Sequence, residues 1–193
     1  IRSHHPNAHL TLLTTYPLAQ LATPNPWFDR VCSFGRPSMV LAEWIRLIRF
    51  LRDRRYDRVY DLQTSDRSCL YFHLMRLRIA RSRERFDWCG IAHGCSHRHS
   101  NSARNKMHTI DRHIDQLRVA GIHRVPLPSL DYVESAVPTS RFEHLIGERY
   151  VLLVPGSAAH RLDKRWHLSN YGKLACSLVR RGVTPVILGS KTE

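Results

Sequence analysis

Short apolar blocks alternate with amphipathic stretches along this chain, and their spacing separates strands from helices. Residues 9–14 (His-Leu-Thr-Leu-Leu-Thr) are apolar, rich in Leu and Thr, and precede Pro17, which predicts a buried strand. Between Met39 and Arg55 the apolar positions Val40, Leu41, Trp44, Ile45, Ile48 and Leu51 recur at three- and four-residue steps, while Glu43, Arg46, Arg49 and Asp53 fall on other faces. That is a helix with one buried stripe. Residues 58–63 predict a second buried strand. Thr64, Ser65 and Asp66 then form an N-cap cluster for a helix over 69–77.

Residues 89–105 carry Gly, Ser, Asn and many His without a period and read as one long loop. The stretch 109–120 returns to helix, with Ile110, Ile114, Leu117 and Val119 apolar and Gly121 as the stop. Pro126, Pro128 and Pro138 punctuate a stretch with little pattern, an interdomain connection. Residues 150–154 predict a strand, followed by a loop containing Gly and Ser. Ser169 is placed to cap a helix in which Tyr171, Leu174, Ala175, Leu178 and Val179 share a face before Gly182, and residues 184–188 predict the next strand. Strands interleaved with amphipathic helices, without hairpin signals, predict α/β architecture with parallel sheets. The pattern runs once before the proline-punctuated stretch and restarts after it. Two domains are expected, 1–138 and 139–193, the second incomplete.

Composition narrows the classes. With 193 residues, 42% hydrophobic and 24% charged, the chain can build one core, or one domain and part of another. No run approaches the ~18 apolar residues of a membrane-spanning helix, and the N-terminus has no signal-peptide pattern. The chain begins without Met and stops at Glu193 after a strand-like run, so both ends are expected to be cut. Five cysteines, an odd count with no disulfide-type spacing, fit a reducing cytoplasm. The formal charge of +14 attracts polyanions: nucleic acid, anionic lipid head groups or phosphorylated sugars. Basic residues divide 16 and 14 between 1–100 and 101–193, so the charge is spread over the folded body rather than held in a tail. Arg46, Arg49, Arg52, Arg54, Arg55 and Arg58 concentrate some of it. They fit a basic helix against anionic lipid or nucleic acid, or a solvated face whose aliphatic stems cover apolar surface. No zinc-finger, RRM, KH or leucine-zipper pattern accompanies them.

Three segments carry candidate chemistry. The first is 154–166, from Val154 through Gly156 and Ser157 to Lys164, Arg165 and Trp166, between a predicted strand and a predicted helix. In open α/β sheets ligands bind outside the carboxyl ends of strands. Gly156 allows close backbone approach, loop N–H groups can hold phosphate oxygens, and Lys164 and Arg165 bring cations to a diphosphate. A solvated basic loop with Trp166 anchoring the helix is the plain alternative. The G-x-x-x-x-G-K-[ST] spacing is absent, so this is not a P-loop. The second segment, Asp61 to Ser68, joins a strand's carboxyl end to a helix N-terminus, where Ser65, Arg67 and Ser68 are placed to touch an anionic, phosphorylated acceptor; helix capping is the alternative. In the third, Cys89, His93, Cys95, His97 and His99 are zinc-type ligands, but without a C-x2-C pair no metal is expected.

Several of these segments together resemble glycosyltransferase family 9, which contains the ADP-heptose:lipopolysaccharide heptosyltransferases. The resemblance is carried by Pro155-Gly156-Ser157, Asp163-Lys164-Arg165-Trp166 and Pro185-Val186-Ile187-Leu188-Gly189 with Glu193. In the first half it is carried by 10–14, 56–68, the Gly94-Cys95-Ser96-His97 loop, and His108-Thr109-Ile110-Asp111-Arg112 leading to Gln116-Leu117. It covers essentially the whole chain, through motifs that are weak singly and specific in order and spacing. The resemblance implies a GT-B fold with two Rossmann-like domains, acceptor-side over 1–138 and nucleotide-sugar-binding from 139. It implies an inverting, metal-independent transfer of a heptose or related sugar from an ADP-activated donor to a lipid-linked, phosphorylated lipopolysaccharide core acceptor. No cofactor is implied and nucleic acid is not a partner; a cytoplasmic enzyme, peripheral to the inner membrane, is. Gly156, Ser157, Lys164, Arg165 and Glu193 then serve the donor, Lys164 matching a lysine on the diphosphate and Glu193 an acidic residue by the ribose. The family's Gly-Asp pair, whose Asp is the general base, would precede Ile1, and its Asp-Thr-Gly-x-x-His motif would follow Glu193. Ala159 and His160 stand where some heptosyltransferases carry hydroxyl residues. By this reading the chain alone is inactive. The alternative from another class is a non-catalytic basic polyanion-binding module or inactive gene remnant.

Overall fold

The computed structural model describes residues 1–34, 41–53, 56–79, 86–127, 129–136, 139–145, 149–156, 163 and 165–189. They belong to two compact units, Ile1–Ala136 and Val137–Glu193. The first opens with β1 (Thr11–Thr14), α1 (Tyr16–Ala22), β2 (Arg30–Ser33), α2 (Leu41–Asp53), β3 (Arg58–Tyr60) and α3 (Asp66–Ile79). It continues with β4 (Asp87–Gly90), β5 (His97–Arg98), α4 (Thr109–Val119) and α5 (Asp131–Ala136). In the second unit a 3-10 segment, Thr139–Leu145, precedes β6 (Tyr150–Leu153), α6 (Leu168–Arg180) and β7 (Thr184–Ile187).

Every described strand pair is parallel, as the alternating pattern predicts. β1 pairs with β2, β4 lies between β3 and β5, and β6 pairs with β7. Parallel strands need cover on both faces, and the central sheet of the first unit has it. Successive side chains alternate faces, so Val59 and Trp88, opposite each other in the register, look one way and Cys89 looks the other. On the first face Leu47 and Leu51 of α2 meet Phe72 and Met75 of α3, with Trp88 and Ala92, as a buried cluster flanked by Leu13, Phe34, Phe50 and Val59. Phe72 packs its ring 5.4 Å from Trp88 and 6.1 Å from Phe86, spacings at which tilted aromatic pairs attract beyond their buried area. On the second face α4 brings Gln116 and Leu117 inside.

The structure corrects the expected loop over 89–105. Its first residues finish β4, and the chain turns through 91–96 to lay β5 beside β4, with Cys89 opposite His97 and Gly90 opposite Arg98. Gly94 makes that turn at φ 78, which L side chains rarely adopt. A two-residue strand is too short to show a period. The unpatterned connection likewise contains α5, and two further elements carry no sequence signal. Among the described side chains of α1, Ala22 alone turns fully inward and Tyr16, Leu18 and Leu21 are exposed, so these apolar residues do not form a stripe. β2 is mixed polar and apolar. The helix caps also differ: α6 starts from His167, whose Nδ1 accepts from the Ser169 N–H at 3.3 Å, and not from Ser169. His108 caps α4 the same way, accepting from the Ile110 N–H.

Leu47 is 1% exposed and Leu21 42% exposed. Leu47→Ala is expected to cost about 3 kcal/mol in denaturant unfolding and Leu21→Ala less than about 0.5 kcal/mol. Equal effects would show that the cluster under α2 and α3 is not the core of this unit.

Candidate functional site

At the carboxyl edge of the central sheet, β3 gives way to α3 through residues 61–65. Asp61 extends the ladder by one bond, its N–H donating to Cys89 O at 2.8 Å. Its carboxylate Oδ1 then accepts the Thr64 N–H at 2.9 Å, which bends the chain back on itself. Thr64 consequently sits at φ 47, a left-handed conformation strained for a β-branched residue. Ser65 and Ser68 close the helix start reciprocally. The Ser65 N–H donates to Ser68 Oγ (2.9 Å), the Ser68 N–H to Ser65 Oγ (3.3 Å), and the Ser68 hydroxyl to Ser65 O (2.8 Å). This is capping-box geometry with serine at both ends.

Of the three acceptor-side residues predicted here, Ser68 is buried with its hydroxyl engaged inside the turn, Ser65 is half-buried, and Arg67 is exposed on the first turn of α3. Two side chains not singled out from the sequence as site residues organise the turn. Asp61 is 6% exposed, and burial pushes its carboxyl above the ordinary range; Oδ2 is shut off from solvent without a hydrogen-bond partner among the described residues. Gln116 is fully buried, and its Nε2 donates to Asp61 O at 2.7 Å and to Cys89 O at 3.4 Å. The sequence signal available for both was a polar residue at an otherwise apolar station: Asp61 at a strand end, and Gln116 beside Leu117.

The Cys/His set disperses. His99 Nε2 bonds Asp115 Oδ2 at 2.8 Å, His97 Nε2 lies 3.6 Å from Asp87 Oδ2, and the Cys89 Sγ points to Gln116 O. Burial pushes the Cys89 thiol up to about 11. Among the described residues no three His, Cys, Asp or Glu side chains are grouped to hold a metal ion.

In the second unit, β6 leads through Val154 and Pro155 to Gly156, which is half-buried at the strand's carboxyl end. Arg165 is exposed just before α6. Trp166 packs edge-on against Tyr171 (5.1 Å between ring centroids), whose hydroxyl donates to Val154 O at 3.5 Å. The aromatic pair therefore ties the start of α6 to the end of β6. The first turn of α6 holds no acidic residue; the Ser169 and Asn170 N–H groups are taken up by His167, and the helix dipole there favours an anion. Ser157, Ala159, His160, Lys164 and Glu193 lie outside the described residues.

A family model for glycosyltransferase family 9 (heptosyltransferase) matches residues 44–193. The chain belongs to glycosyltransferase family 9. Solved structures agree on the fold. The E. coli ADP-heptose lipopolysaccharide heptosyltransferase II superposes with a TM-score of 0.68 at 21% identity, over 99% of this chain and 58% of that one. E. coli heptosyltransferase WaaC with ADP-2-deoxy-2-fluoro heptose gives 0.65 at 17% identity, covering 99% and 62%, and WaaC with ADP gives 0.63 at 15%, covering 99% and 60%. No curated protein sequence matches the chain. The family 9 fold here is therefore α/β of GT-B type with parallel sheets, and the chain spans about three fifths of the length of these structures. No helix among the described residues is long and apolar enough to cross a membrane.

The carboxylates of the first unit shift in opposite senses. Hydrogen bonds from Asn101 and His99 hold the Asp115 carboxyl below the ordinary range, and one from Arg58 does the same for Asp87. Their stabilisation is present above the unfolded carboxylate pKa of about 4 and is lost as pH falls through the folded values. Asp61, raised by burial, works against folding at neutral pH, and that penalty fades on acidification. Asp61→Asn retains an acceptor for the Thr64 N–H and is expected to add about 1 kcal/mol at pH 7 but nothing near pH 3. A gain of equal size at both pH values would remove the buried-charge explanation. Thr64→Gly is expected to add roughly 0.5–1 kcal/mol by relieving the left-handed backbone; a loss in thermal unfolding would show the threonine side chain to be needed there.

Proposed function

We propose that this chain contributes the acceptor-side unit, and the opening of the nucleotide-sugar unit, of an inverting, metal-independent glycosyltransferase. In this reading the enzyme moves a heptose or related sugar from an ADP-activated donor to a lipid-linked, phosphorylated lipopolysaccharide core acceptor. The observation that carries the reading is the family match over 44–193, which takes in both the 61–68 turn and the 154–166 loop. The related structures described with ADP and with an ADP-fluoroheptose support the choice of donor.

The chemistry asks for two things. A base must remove the proton from the acceptor hydroxyl as that oxygen attacks the anomeric carbon, and positive charge must stabilise ADP as the C–O bond to it breaks. Gly156, Ser157, Lys164, Arg165 and Glu193 form the donor side, with Lys164 and Arg165 on the diphosphate and the N-terminus of α6 adding its dipole. Ser65, Arg67 and Ser68 form the acceptor side: Arg67 meets the acceptor's anionic groups, and the serine pair holds the turn from which it projects. The general base is assigned to none of the 193 residues. The protein works at the cytoplasmic face of the inner membrane, where its excess positive charge attracts anionic lipid.

Calorimetric titration tests the donor half. ADP is expected to bind the chain saturably. Lys164→Ala should weaken it about tenfold or more and Arg165→Ala less, with Arg67→Ala leaving it unchanged. No saturable ADP binding, or equal loss in all three variants, would overturn the donor assignment and favour a non-catalytic polyanion-binding module.

A further inference from the structure

Two consecutive residues of α4 reach two different loops. Gln116 donates to the carbonyl of Asp61 at 2.7 Å and so fixes the root of the turn leading to Arg67. Asp115, beside it, accepts from His99 Nε2 at 2.8 Å and from Asn101 Nδ2 at 2.7 Å. Asn101 in turn organises the following loop: its Oδ1 accepts the Ala103 N–H at 2.9 Å and its carbonyl accepts the Arg104 N–H at 3.2 Å. That loop carries Arg104, half-buried, whose Nε is shut off from solvent without a hydrogen-bond partner among the described residues. Asp61 and Asn101 are thus held by neighbouring residues of α4, which ties the two loops to one turn of that helix.

Loops at a sheet edge fluctuate independently unless something rigid joins them. Here the joint is one turn of one helix. Gln116 is a poor choice for packing alone, because its buried Oε1 has no hydrogen-bond partner among the described residues, a cost an apolar side chain would avoid. What the glutamine supplies is direction: its Nε2 specifies where the Asp61 carbonyl lies.

We propose that Asp115 and Gln116 are positioning residues that hold Arg67 and Arg104 as a pair for the anionic, phosphorylated part of the acceptor. The proposal rests on the acceptor-side reading given above. It assigns Arg104 to the acceptor alongside Arg67 and makes their spacing a property of α4.

Backbone NMR of the whole chain tests it, with glucose 6-phosphate as the probe and glucose and ADP as controls. In the parent, glucose 6-phosphate should shift the amides of 65–67 and of 103–105 together and saturably, while glucose does not. Gln116→Met, near in size but without donors, should speed amide exchange at Thr64 and Ser65. Asp115→Ala should do so at Ala103 and Arg104. Each should weaken glucose 6-phosphate about tenfold with both arginines in place and leave ADP affinity unchanged. A variant that loses thermal stability yet keeps parental glucose 6-phosphate affinity would reduce α4 to packing and overturn the positioning role. If glucose 6-phosphate fails to bind the parent at all, the acceptor-side reading falls, and this inference with it, while ADP binding still reports on the donor side separately.

Discussion

The peptide group of Asp61 is the point on which the first unit's working edge depends. Its N–H closes the ladder to β4, its carbonyl receives a buried amide from α4, and its own carboxylate bends the chain into α3. Two strands and two helices are thereby referenced to one residue. A carboxylate at such a place is expensive, because burial disfavours its charged form. What holds it there is the apolar layer beneath, where Trp88, Phe72 and the leucines of α2 pack on the opposite face of the same strands. The polar network is specific because the hydrophobic layer is rigid, and it would drift if that layer were loose.

Electrostatics outside this point follow a simpler rule. Asp29 is met by Arg2, Asp87 by Arg58 and Asp115 by His99. Such pairs add little stability each. With thirty basic residues against sixteen acidic ones, a large cationic excess remains. It is distributed along the whole length, so both units carry an excess of positive charge that draws anions.

Much of this architecture was legible from periodicity. The helices over 41–53, 109–119 and 168–180 lie within about two residues of the stripes that predict them, because each is long enough for the 3.6-residue repeat to be counted. The parallel sheets followed from strand–helix alternation, and the family from the order of short motifs. What stayed hidden was short or unstriped: α1, whose outer face is as apolar as its inner one, and β5, two residues long. At the site, residue types announced a capped turn at 64–68, and the structure forms one. The sequence could not tell that Ser68 would be spent inside that turn, nor that Gln116 would turn inward, since both depend on contacts across fifty residues of chain or on a single side-chain direction.

The cysteines, whose odd count fits a reducing compartment, divide by depth in a way that separates the units. Cys32, Cys69, Cys89 and Cys95 all belong to the first unit and are buried or half-buried, whereas Cys176, on α6 of the second, is exposed. A bulky thiol reagent under folding conditions should therefore mark the second unit first. A dye carried at that position would sit on the helix whose opening turn adjoins Trp166, giving the second unit an optical signal of its own without any engineered residue.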